Sequence, residues 1–394
     1  MKQAVLVINS GSSTIKFSAF TQQSDQAFLS GLAERLGAQD AVIRFSLQGI
    51  KSEQAIPLAD HEGALQALIA FLNQHDLPLD SLSAIGHRVV HGGEQFTGSQ
   101  LIDDAVIAGI SACVPLAPLH NPANLLGITT LRALVPDVPQ VAVFDTAFHQ
   151  TLPPKAYLYG LPFSLYRDFA VRRYGFHGTS HLYVVQQAAL CLNKPVSELS
   201  VISAHLGNGC SAVAVKNGES VDTTMGMTPL EGLVMGTRSG DIDPGLHQFI
   251  GDKLGLSLDA VTNLLNKQSG LLGLSEMSND MRTLANEADA GNAQAALAIE
   301  VFCFRLARAI GGLAMSLTSI DALIFTGGIG ENARNVREKV VAQLGLLGFQ
   351  LLPDANENNG VLHDGNIAAS GSKPILVIPT NEEWMIASDC LGLI

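Results

Sequence analysis

Two short segments share the pattern strand, glycine-hydroxyl turn, strand, and they lie about half the chain apart. Residues 5–8 form an apolar run that enters a turn at residues 9–13, NSGSS, and residues 201–204 form a run that enters a turn at residues 205–209, HLGNG. Each turn leads into a second strand-like run, as in a β-hairpin. Glycine lets backbone N–H groups approach a ligand closely, and successive N–H groups form a concave site for phosphate oxygens. The repeat therefore predicts two related domains, each with a phosphate hairpin, although so short a match leaves chance similarity open.

The composition favours a soluble protein with more than one core. The chain has 394 residues, 47% of them hydrophobic and 15% charged, and its net charge of −13 opposes binding to nucleic acid or an anionic membrane. Five cysteines without CxxC spacing predict neither a disulfide framework nor a zinc site, and residues 1–8 are too short for a signal-peptide core. The apolar run at residues 307–325 contains Arg308 and Asp321, so we expect a buried helix and strand there and a cytoplasmic location.

Helix and strand signals alternate along the chain. Because hairpins interrupt the alternation, we expect an α/β fold with mixed rather than wholly parallel sheets. Residues 147–173 contain three prolines at 153, 154 and 162 and no sustained period, which predicts a crossover between the domains. The predicted elements include a helix at 61–74 capped by Asp60, a strand at 82–90, a helix from Asn121, a strand at 141–144, a helix at 177–192, a long helix at 293–317, and strands at 321–326 and 375–378.

Two arginines lie close to glycines. Arg88 lies near the end of the strand at 82–90, shortly before the sequence HGG at residues 91–93, and Arg238 lies in the glycine-rich loop at residues 236–241, GTRSGD. The guanidinium fork matches phosphate or carboxylate bidentately, and an acidic chain needs local cations to hold an anionic substrate. We therefore interpret Arg238 as functional, whereas Arg88 is equally compatible with a surface salt bridge.

Residues 328–333, GIGENA, fit the GxGxxG/A fingerprint after a strand. That fingerprint belongs in the first βα unit of a nucleotide domain, whereas this copy lies late in the chain. A backbone shelf for an adenine nucleotide is therefore favoured over an NAD site, with a close helix–sheet crossing as the structural alternative. The chain contains no GxSxG, no GxxxxGK[ST] and no HExxH, so a triad hydrolase is not expected.

Several polar residues stand where catalytic groups often lie. Asp145 follows a predicted strand, where ligands of open α/β sheets collect, although aspartate is also a common turn residue. His177 lies between aromatic and glycine residues, and Glu382 and Glu383 either bind a ligand or only favour a helix N-terminus. Phosphate hairpins, a nucleotide shelf, arginines, a histidine and carboxylates for Mg²⁺ together describe phosphoryl transfer.

A series of short segments runs in order along the chain, at residues 9–13, 87–93, 118–122, 144–149, 173–181, 205–209, 235–241, 328–332 and 381–383. In these segments the chain resembles the acetate kinase family of acyl-phosphate kinases, and the match is collinear over most of the chain. Thr14 stands where the family commonly has serine, and Trp384 where a smaller aliphatic residue is commoner.

The resemblance implies two duplicated actin-like, ribonuclease H-like domains with an interdomain cleft, and usually a homodimer. It implies a first domain of residues 1–148 with 384–394 and a second domain of residues 149–383 that binds the nucleotide and dimerises. It also implies reversible transfer of the ATP γ-phosphoryl group to acetate, giving acetyl phosphate and ADP, with Mg²⁺ or alternatively Mn²⁺.

The resemblance further implies roles for individual residues. Arg88 and Arg238 would hold the carboxylate and the moving phosphoryl group, and His177 and Arg238 would stabilise the transition state. Asp145 would act with them in catalysis and, with Asn9 and Glu382, arrange the metal and its waters. The methyl group of acetate would contact Val90, Leu119, Phe176 and Pro229. The nucleotide and its phosphates would contact Lys16, His205, Leu206, Gly207, Asn208, Gly209, Asp280, Met281, Arg282, Gly328, Ile329, Gly330 and Asn332.

Three alternatives remain at this stage. A propionate kinase would share every catalytic residue; the β-branched Val90 favours the shorter acid, but one methylene changes binding by only ~1–3 kcal/mol. An actin-like ATPase without an acyl acceptor would have no need for Arg88 and Arg238. An NAD oxidoreductase is the third.

Overall fold

The structure is a computed structural model that describes residues 4–78 and 81–394. It divides into two compact units: unit 1 comprises Met1–Phe148 and Asn381–Ile394, and unit 2 comprises His149–Thr380. The chain returns to unit 1 at Asn381, slightly before the predicted boundary at residue 384. Residues 1–8 were predicted to be too short for a signal-peptide core, and residues 1–3 of this segment lie outside the described residues.

The central strands coincide with apolar runs of the sequence, whereas the edge strand at Ile50–Ala55 is mostly polar and exposed throughout. In unit 1 they are β1 (Ala4–Ser10), β2 (Thr14–Thr21), β3 (Leu29–Glu34), β4 (Val42–Leu47), β5 (Ile50–Ala55), β6 (Leu82–Val89), β7 (Gln100–Leu101) and β8 (Gln140–Phe144). In unit 2 they are β9 (Ser200–Leu206), β10 (Cys210–Lys216), β11 (Glu219–Thr223), β12 (Ala322–Thr326) and β13 (Ile375–Val377).

The helices connect these strands. Those of unit 1 are α1 (His61–Gln74), α2 (Asp104–Ala112), α3 (Asn121–Leu134) and α15 (Glu382–Leu393). Those of unit 2 are α4 (Pro154–Tyr157), α5 (Phe163–Phe169), α6 (Gly178–Cys191), α7 (Leu246–Leu254), α8 (Leu258–Lys267), α9 (Gly270–Ser275), α10 (Met281–Asp289), α11 (Ala293–Ala314), α12 (Gly327–Asn332), α13 (Arg334–Val341) and α14 (Pro353–Glu357).

Local signals set several helix ends. The Asp60 side chain accepts a hydrogen bond from Gly63 N at the start of α1, so the predicted cap and helix are confirmed. The long buried helix α11 is confirmed too, but it ends at Ala314 rather than at residue 317. Its last turn tightens there, because Met315 N donates to the carbonyls of Gly312 and Leu313.

The two sheets repeat one strand arrangement. The sheet of unit 1 has the order β5-β4-β3-β2-β1-β6-β8-β7, and the sheet of unit 2 has the order β11-β10-β9-β12-β13. In both, an antiparallel hairpin is followed by a parallel neighbour: β1 pairs with β2 and β6, and β9 pairs with β10 and β12. The predicted α/β fold class with two domains and mixed sheets is confirmed.

Strand β1 lies at the centre of unit 1 and is buried on both faces. Leu6 and Ile8 pack in the core beneath α1, whereas Val5 and Val7 pack with Ile386 of α15. Alternate side chains of a strand point to opposite faces, so a strand covered on both faces is almost continuously apolar.

Trp384 packs at the edge of the cluster that contains Val5, Val7 and Ile386, with its ring centroid 5.7 Å from that of Phe20. It therefore helps to fix the first turn of α15 on the sheet. Among the described residues, no helix is both long enough and apolar enough to cross a bilayer.

Candidate active site

Arg88 and Asp145 form a two-pronged ion pair in unit 1. Strands β6 and β8 are parallel neighbours, and they bring Arg88 close to Asp145, which directly follows β8. Arg88 Nε lies 2.9 Å from Asp145 Oδ1, and Nη2 lies 2.7 Å from Oδ2. Burial disfavours the charge of Arg88, but Asp145, and more weakly Glu382 and Glu383, outweigh it and raise the arginine pKa. The guanidinium is thus held in one orientation.

The start of α15 adds carboxylates to the same unit. Burial raises the pKa of Glu382; Arg88 opposes this shift, whereas Asp145 and Glu383 add to it. Lys16 of β2 pairs with Glu383. Lys16 was predicted to contact the nucleotide, but the structure places it in unit 1 beside this acidic helix end.

Two buried asparagines of α3 hold the loop that follows β6. Asn124 Oδ1 accepts from Val90 N at 3.1 Å, and its Nδ2 donates to Ser10 O at 2.8 Å. Asn121 Oδ1 accepts from His91 N at 3.1 Å, and its Nδ2 donates to His91 O at 2.9 Å. Sequence reasoning assigned no supporting role to either side chain. Polar residues on the buried face of an otherwise apolar helix are the signal that points to them.

The second hairpin closes through its own backbone. Gly207 N donates to Gly209 O at 3.0 Å, and Gly236 N donates to Asn208 O at 2.9 Å. A Cβ atom on Gly236 would lie 2.0 Å from Asn208 Oδ1, so only glycine fits beside the turn. The loop that contains Arg238 is thereby joined to the hairpin.

Arg238 and His177 converge over Gly209. A Cβ atom built on Gly209 would lie 3.4 Å from both Arg238 Nη1 and His177 Nε2. Arg238 Nη1 donates to Pro229 O at 3.2 Å and contacts Met235 Sδ at 3.7 Å, and burial lowers its pKa. In the described part of the chain, no carboxylate lies within ion-pair distance of Arg238. Its charge is therefore available to an anion.

His177 has an unusual backbone conformation. It adopts φ 57° and ψ 24° at the N-cap of α6, in the left-handed region that costs a non-glycine residue on the order of 1 kcal/mol. This turn directs the imidazole toward the hairpin rather than along the helix. His177 Nδ1 also lies 2.9 Å from Ser211 Oγ of β10. No role was assigned from the sequence to Ser211 or to its buried neighbour His181.

The glycine shelf, residues 328–333, lies beside a cavity of about 480 Å³ in unit 2. Most of the predicted nucleotide contacts line it, together with Asn279 and Ala333, which were not predicted. Among the other predicted contacts, His205, Leu206, Gly209 and Gly330 belong to the same unit but do not line the cavity. The lining residues are Gly207, Asn208, Asn279, Asp280, Met281, Arg282, Gly328, Ile329, Asn332 and Ala333.

Arg337 lies beneath the shelf and is completely buried. Its Nη1 donates to the carbonyls of Gly330 and Glu331, both at 2.8 Å, so it satisfies the end of α12. Nε and Nη2 donate to Asn356 Oδ1 at 2.7 Å and to Asn359 Oδ1 at 2.6 Å. Burial lowers the pKa of Arg337 to about 10. Nothing in its local sequence predicted this role.

The predicted methyl contacts divide between the units. Val90 and Leu119 lie in unit 1, where Leu119 is 57% exposed, and Phe176 and Pro229 lie in unit 2, where Phe176 is 1% exposed. Asn9 is the penultimate residue of β1 and is partly buried.

Comparison with known proteins covers almost the whole chain. A family model described as the acetokinase family matches residues 4–388. An acetate kinase from Chromobacterium violaceum is 52% identical over 393 residues, which cover 100% of this chain and 99% of that protein.

Solved structures agree with this match. A propionate kinase from Francisella tularensis superposes with a TM-score of 0.95 at 45% identity, over 100% of both chains. An acetate kinase from Porphyromonas gingivalis superposes with a TM-score of 0.92 at 39% identity, over 99% of both chains.

Proposed function

The chain belongs to the acetokinase family, and from this premise we propose that it transfers the γ-phosphoryl group of ATP to acetate. A carboxylate oxygen of acetate forms a bond to the γ-phosphorus. The bond from that phosphorus to the β–γ bridging oxygen breaks, and its electron pair stays with ADP. The products are acetyl phosphate and ADP, and the reaction is reversible.

The convergence of Arg238 and His177 over Gly209 carries this proposal. A phosphoryl group in transfer spreads negative charge over its equatorial oxygens, so catalysis depends on positioning and charge neutralisation. Arg238 has a cationic Nη1 at this point, and His177 has a ring nitrogen there. Together they stabilise the transition state.

The cavity in unit 2 suits the nucleoside. Its volume of about 480 Å³ falls within the usual ~300–1,000 Å³ of ligand pockets. Met281 and Ile329 offer apolar contact, while Asp280 and Asn332 offer polar groups. We assign the other predicted residues of the second hairpin, from His205 to Gly209, to contacts with the phosphates.

Arg88 holds the acceptor carboxylate. Acetate is already ionised at neutral pH, so its attack needs no general base. Asp145 therefore does not have to act as that base. Both of its carboxylate oxygens accept hydrogen bonds from Arg88, and it acts by orienting that arginine. The predicted contacts to the acetate methyl group are Val90, Leu119, Phe176 and Pro229, and Lys16 stays a proposed contact to the nucleotide.

The residues of unit 1 fit Mg²⁺. Repulsion from Asp145 and Glu383 helps to raise the pKa of Glu382, so a nearby divalent cation would be favourable. Mg²⁺ takes oxygen ligands, few of them from protein, and keeps several waters. We propose that Glu382 and Asn9 hold it, with Asp145 arranging its waters and Mn²⁺ as an alternative metal. When bound, the ion neutralises charge on the phosphate oxygens.

We also propose a cytoplasmic homodimer. All five cysteines are free thiols, as is usual in a reducing compartment. The helix α11 exposes Leu297 and Phe304, and Met315 directly after it is exposed too; a second copy would cover this apolar surface. Light scattering in solution tests the dimer, and the mass of a single chain would contradict it.

An acyl-hydroxamate assay with ATP and Mg²⁺ tests the activity. Acetate, propionate and butyrate are compared by kcat/KM, and we expect acetate to be preferred. If propionate is preferred, the phosphoryl-transfer mechanism stands but the acetate assignment is wrong. If no acid forms hydroxamate while ATP is hydrolysed, the protein is an ATPase without an acyl acceptor.

The variant Val90→Ala sharpens the test of substrate choice. Removing two methyl groups should lengthen the space for the acyl chain and raise the ratio of propionate to acetate kcat/KM by about 10-fold, the scale of one methylene. An unchanged ratio would exclude Val90 from the acyl pocket.

A further inference from the structure

A chain of histidine and serine side chains runs from His177 into the core of unit 2. His177 Nδ1 lies 2.9 Å from Ser211 Oγ, and Ser211 Oγ lies 2.8 Å from His181 Nε2. His181 Nδ1 lies 3.0 Å from Ser203 Oγ. Ser211, His181 and Ser203 are completely buried. The chain therefore links a side chain of the candidate site to three groups that no substrate can reach.

The number of hydrogens limits how this chain is polarised. Burial, together with the neighbouring His149 and His205, lowers the pKa of His181 well below its ordinary value, so the ring is neutral and carries one N–H. Each serine hydroxyl also carries one hydrogen. If Ser211 donates to His177 Nδ1, then Ser211 Oγ accepts from His181 Nε2–H. His181 Nδ1 in turn accepts from Ser203.

The opposite polarity places the hydrogen of a neutral His177 on Nδ1. Its Nε2 would then present a lone pair to the space over Gly209, where Arg238 Nη1 also points. Phosphoryl oxygens accept hydrogen bonds and repel a lone pair, so this polarity opposes binding of the phosphoryl group. Only the first polarity gives a neutral His177 a donor at the reacting end.

We propose that Ser211, His181 and Ser203 are positioning residues that hold His177 in the tautomer with its hydrogen on Nε2. The proposal rests on the proposed function, because it requires a phosphoryl group over Gly209. A chain of neutral groups couples the tautomer of His177 to the hydrogen positions of Ser211, His181 and Ser203 without burying a charge. It also anchors a ring whose backbone is in a strained conformation.

Ring ¹⁵N NMR of the unliganded protein with labelled histidine tests the tautomer directly, with the His177 signals assigned through His177→Asn. We expect wild-type His177 to show one tautomer, protonated at Nε2. Ser211→Ala and Ser203→Ala should show averaged signals of two tautomers. A wild-type His177 protonated at Nδ1 would overturn the proposal.

Steady-state kinetics supply the second readout. Ser211→Ala should lower kcat on the order of 10-fold, and Ser203→Ala by a smaller factor, with KM for ATP and acetate unchanged; both losses are below the ~10²–10³ expected for deleting a donor. Ser211→Thr restores a hydroxyl and should recover kcat. If Ser203→Ala behaves like wild type in tautomer and kcat, the chain beyond Ser211 has no positioning role and the proposal fails.

Ser220→Ala is the matched control. Ser220 is equally buried and lies 2.8 Å from a ring nitrogen of another buried histidine, His149, but it does not belong to the hydrogen-bond chain from His177 to Ser203. It should lose stability comparably while His177 keeps its tautomer. If Ser203→Ala fails to fold, Ser203→Cys replaces it, because a thiol is a weaker donor of similar size. Ser203→Cys should show partial mixing of the two His177 tautomers, and the absence of mixing would contradict the proposal.

The two proposals can fail separately. The NMR measurement needs no substrate, so it decides the role of the histidine–serine hydrogen-bond chain even if the wild-type protein forms no acyl hydroxamate. A wild-type protein that is active but shows mixed His177 tautomers would overturn this inference and leave the phosphoryl transfer intact.

Discussion

The two hairpins have the same strand arrangement but different surroundings. In unit 1 the turn between β1 and β2 closes through Gly11 N donating to Thr14 O at 2.8 Å, and a buried amide, Asn124, supports it from α3. In unit 2 the turn between β9 and β10 is joined by a backbone hydrogen bond to the loop before Arg238, and buried histidines and serines lie behind it.

The charged partners of the two arginines, Arg88 and Arg238, differ between the units. Arg88 of unit 1 donates through Nε and Nη2 to a carboxylate, whereas Arg238 of unit 2 contacts a carbonyl and a thioether. A paired arginine is oriented and partly neutralised, and an arginine without an acid keeps its charge for an incoming anion. The same backbone frame thus supports an oriented cation in one unit and an available cation in the other.

Arg238→Ala should have the largest effect on this contrast. Removing the available cation should lower kcat by at least ~10²–10³, the usual cost of losing one transition-state donor. ADP affinity, measured by calorimetry, should remain near that of the wild type, because the cavity proposed for the nucleotide is lined by other residues. Near-normal turnover would contradict the role assigned to Arg238.

Gly209→Ala should separate activity from folding. The new methyl group makes only ordinary contacts of 3.4 Å and Gly209 needs no left-handed backbone, so thermal unfolding should change little. The methyl group fills the space between Arg238 and His177, and we expect kcat to fall ~10²-fold, as for a reacting group displaced by about 1 Å. A variant as active as wild type would place the phosphoryl group elsewhere.

Asn124→Ala tests the support of the first hairpin. It leaves Val90 N and Ser10 O without their buried partner, so the free energy of unfolding should fall by about 1–3 kcal/mol in urea titration. Thr129→Ala on the exposed face of the same helix is the control and should change stability by less than about 0.5 kcal/mol. Equal effects would show that the amide is not a specific support.

The acid limb of the pH–rate profile should include the titration of Glu382 in unit 1. Protonated Glu382 cannot bind a cation, and its raised pKa means that activity is lost at a higher pH than for an ordinary glutamate as the pH falls. Glu383→Gln removes a repelling charge and should move this limb to lower pH. Lys16→Met removes an attracting charge and should move it up. Shifts in the same direction would contradict the assignment to Glu382.

The sequence by itself determined the elements that depend on neighbours along the chain. The cap at Asp60, the strand end beside Arg88, the strand end before Asp145 and both glycine hairpins follow from residue types at short spacing. The repeat of the hairpin also predicted the duplicated sheets, because one local pattern specifies one local fold. The match to a family then supplied roles that spacing alone did not.

Only the tertiary structure decided which side chains meet. Arg88 takes both oxygens of Asp145, Arg337 donates to carbonyls and amides beneath the shelf, and His181 joins Ser211 to Ser203. These contacts depend on sheet register, on rotamers and on the burial of groups far apart in the chain. Burial also determines which histidines are neutral and which arginine remains available, and it is a property of the folded environment rather than of the residue type.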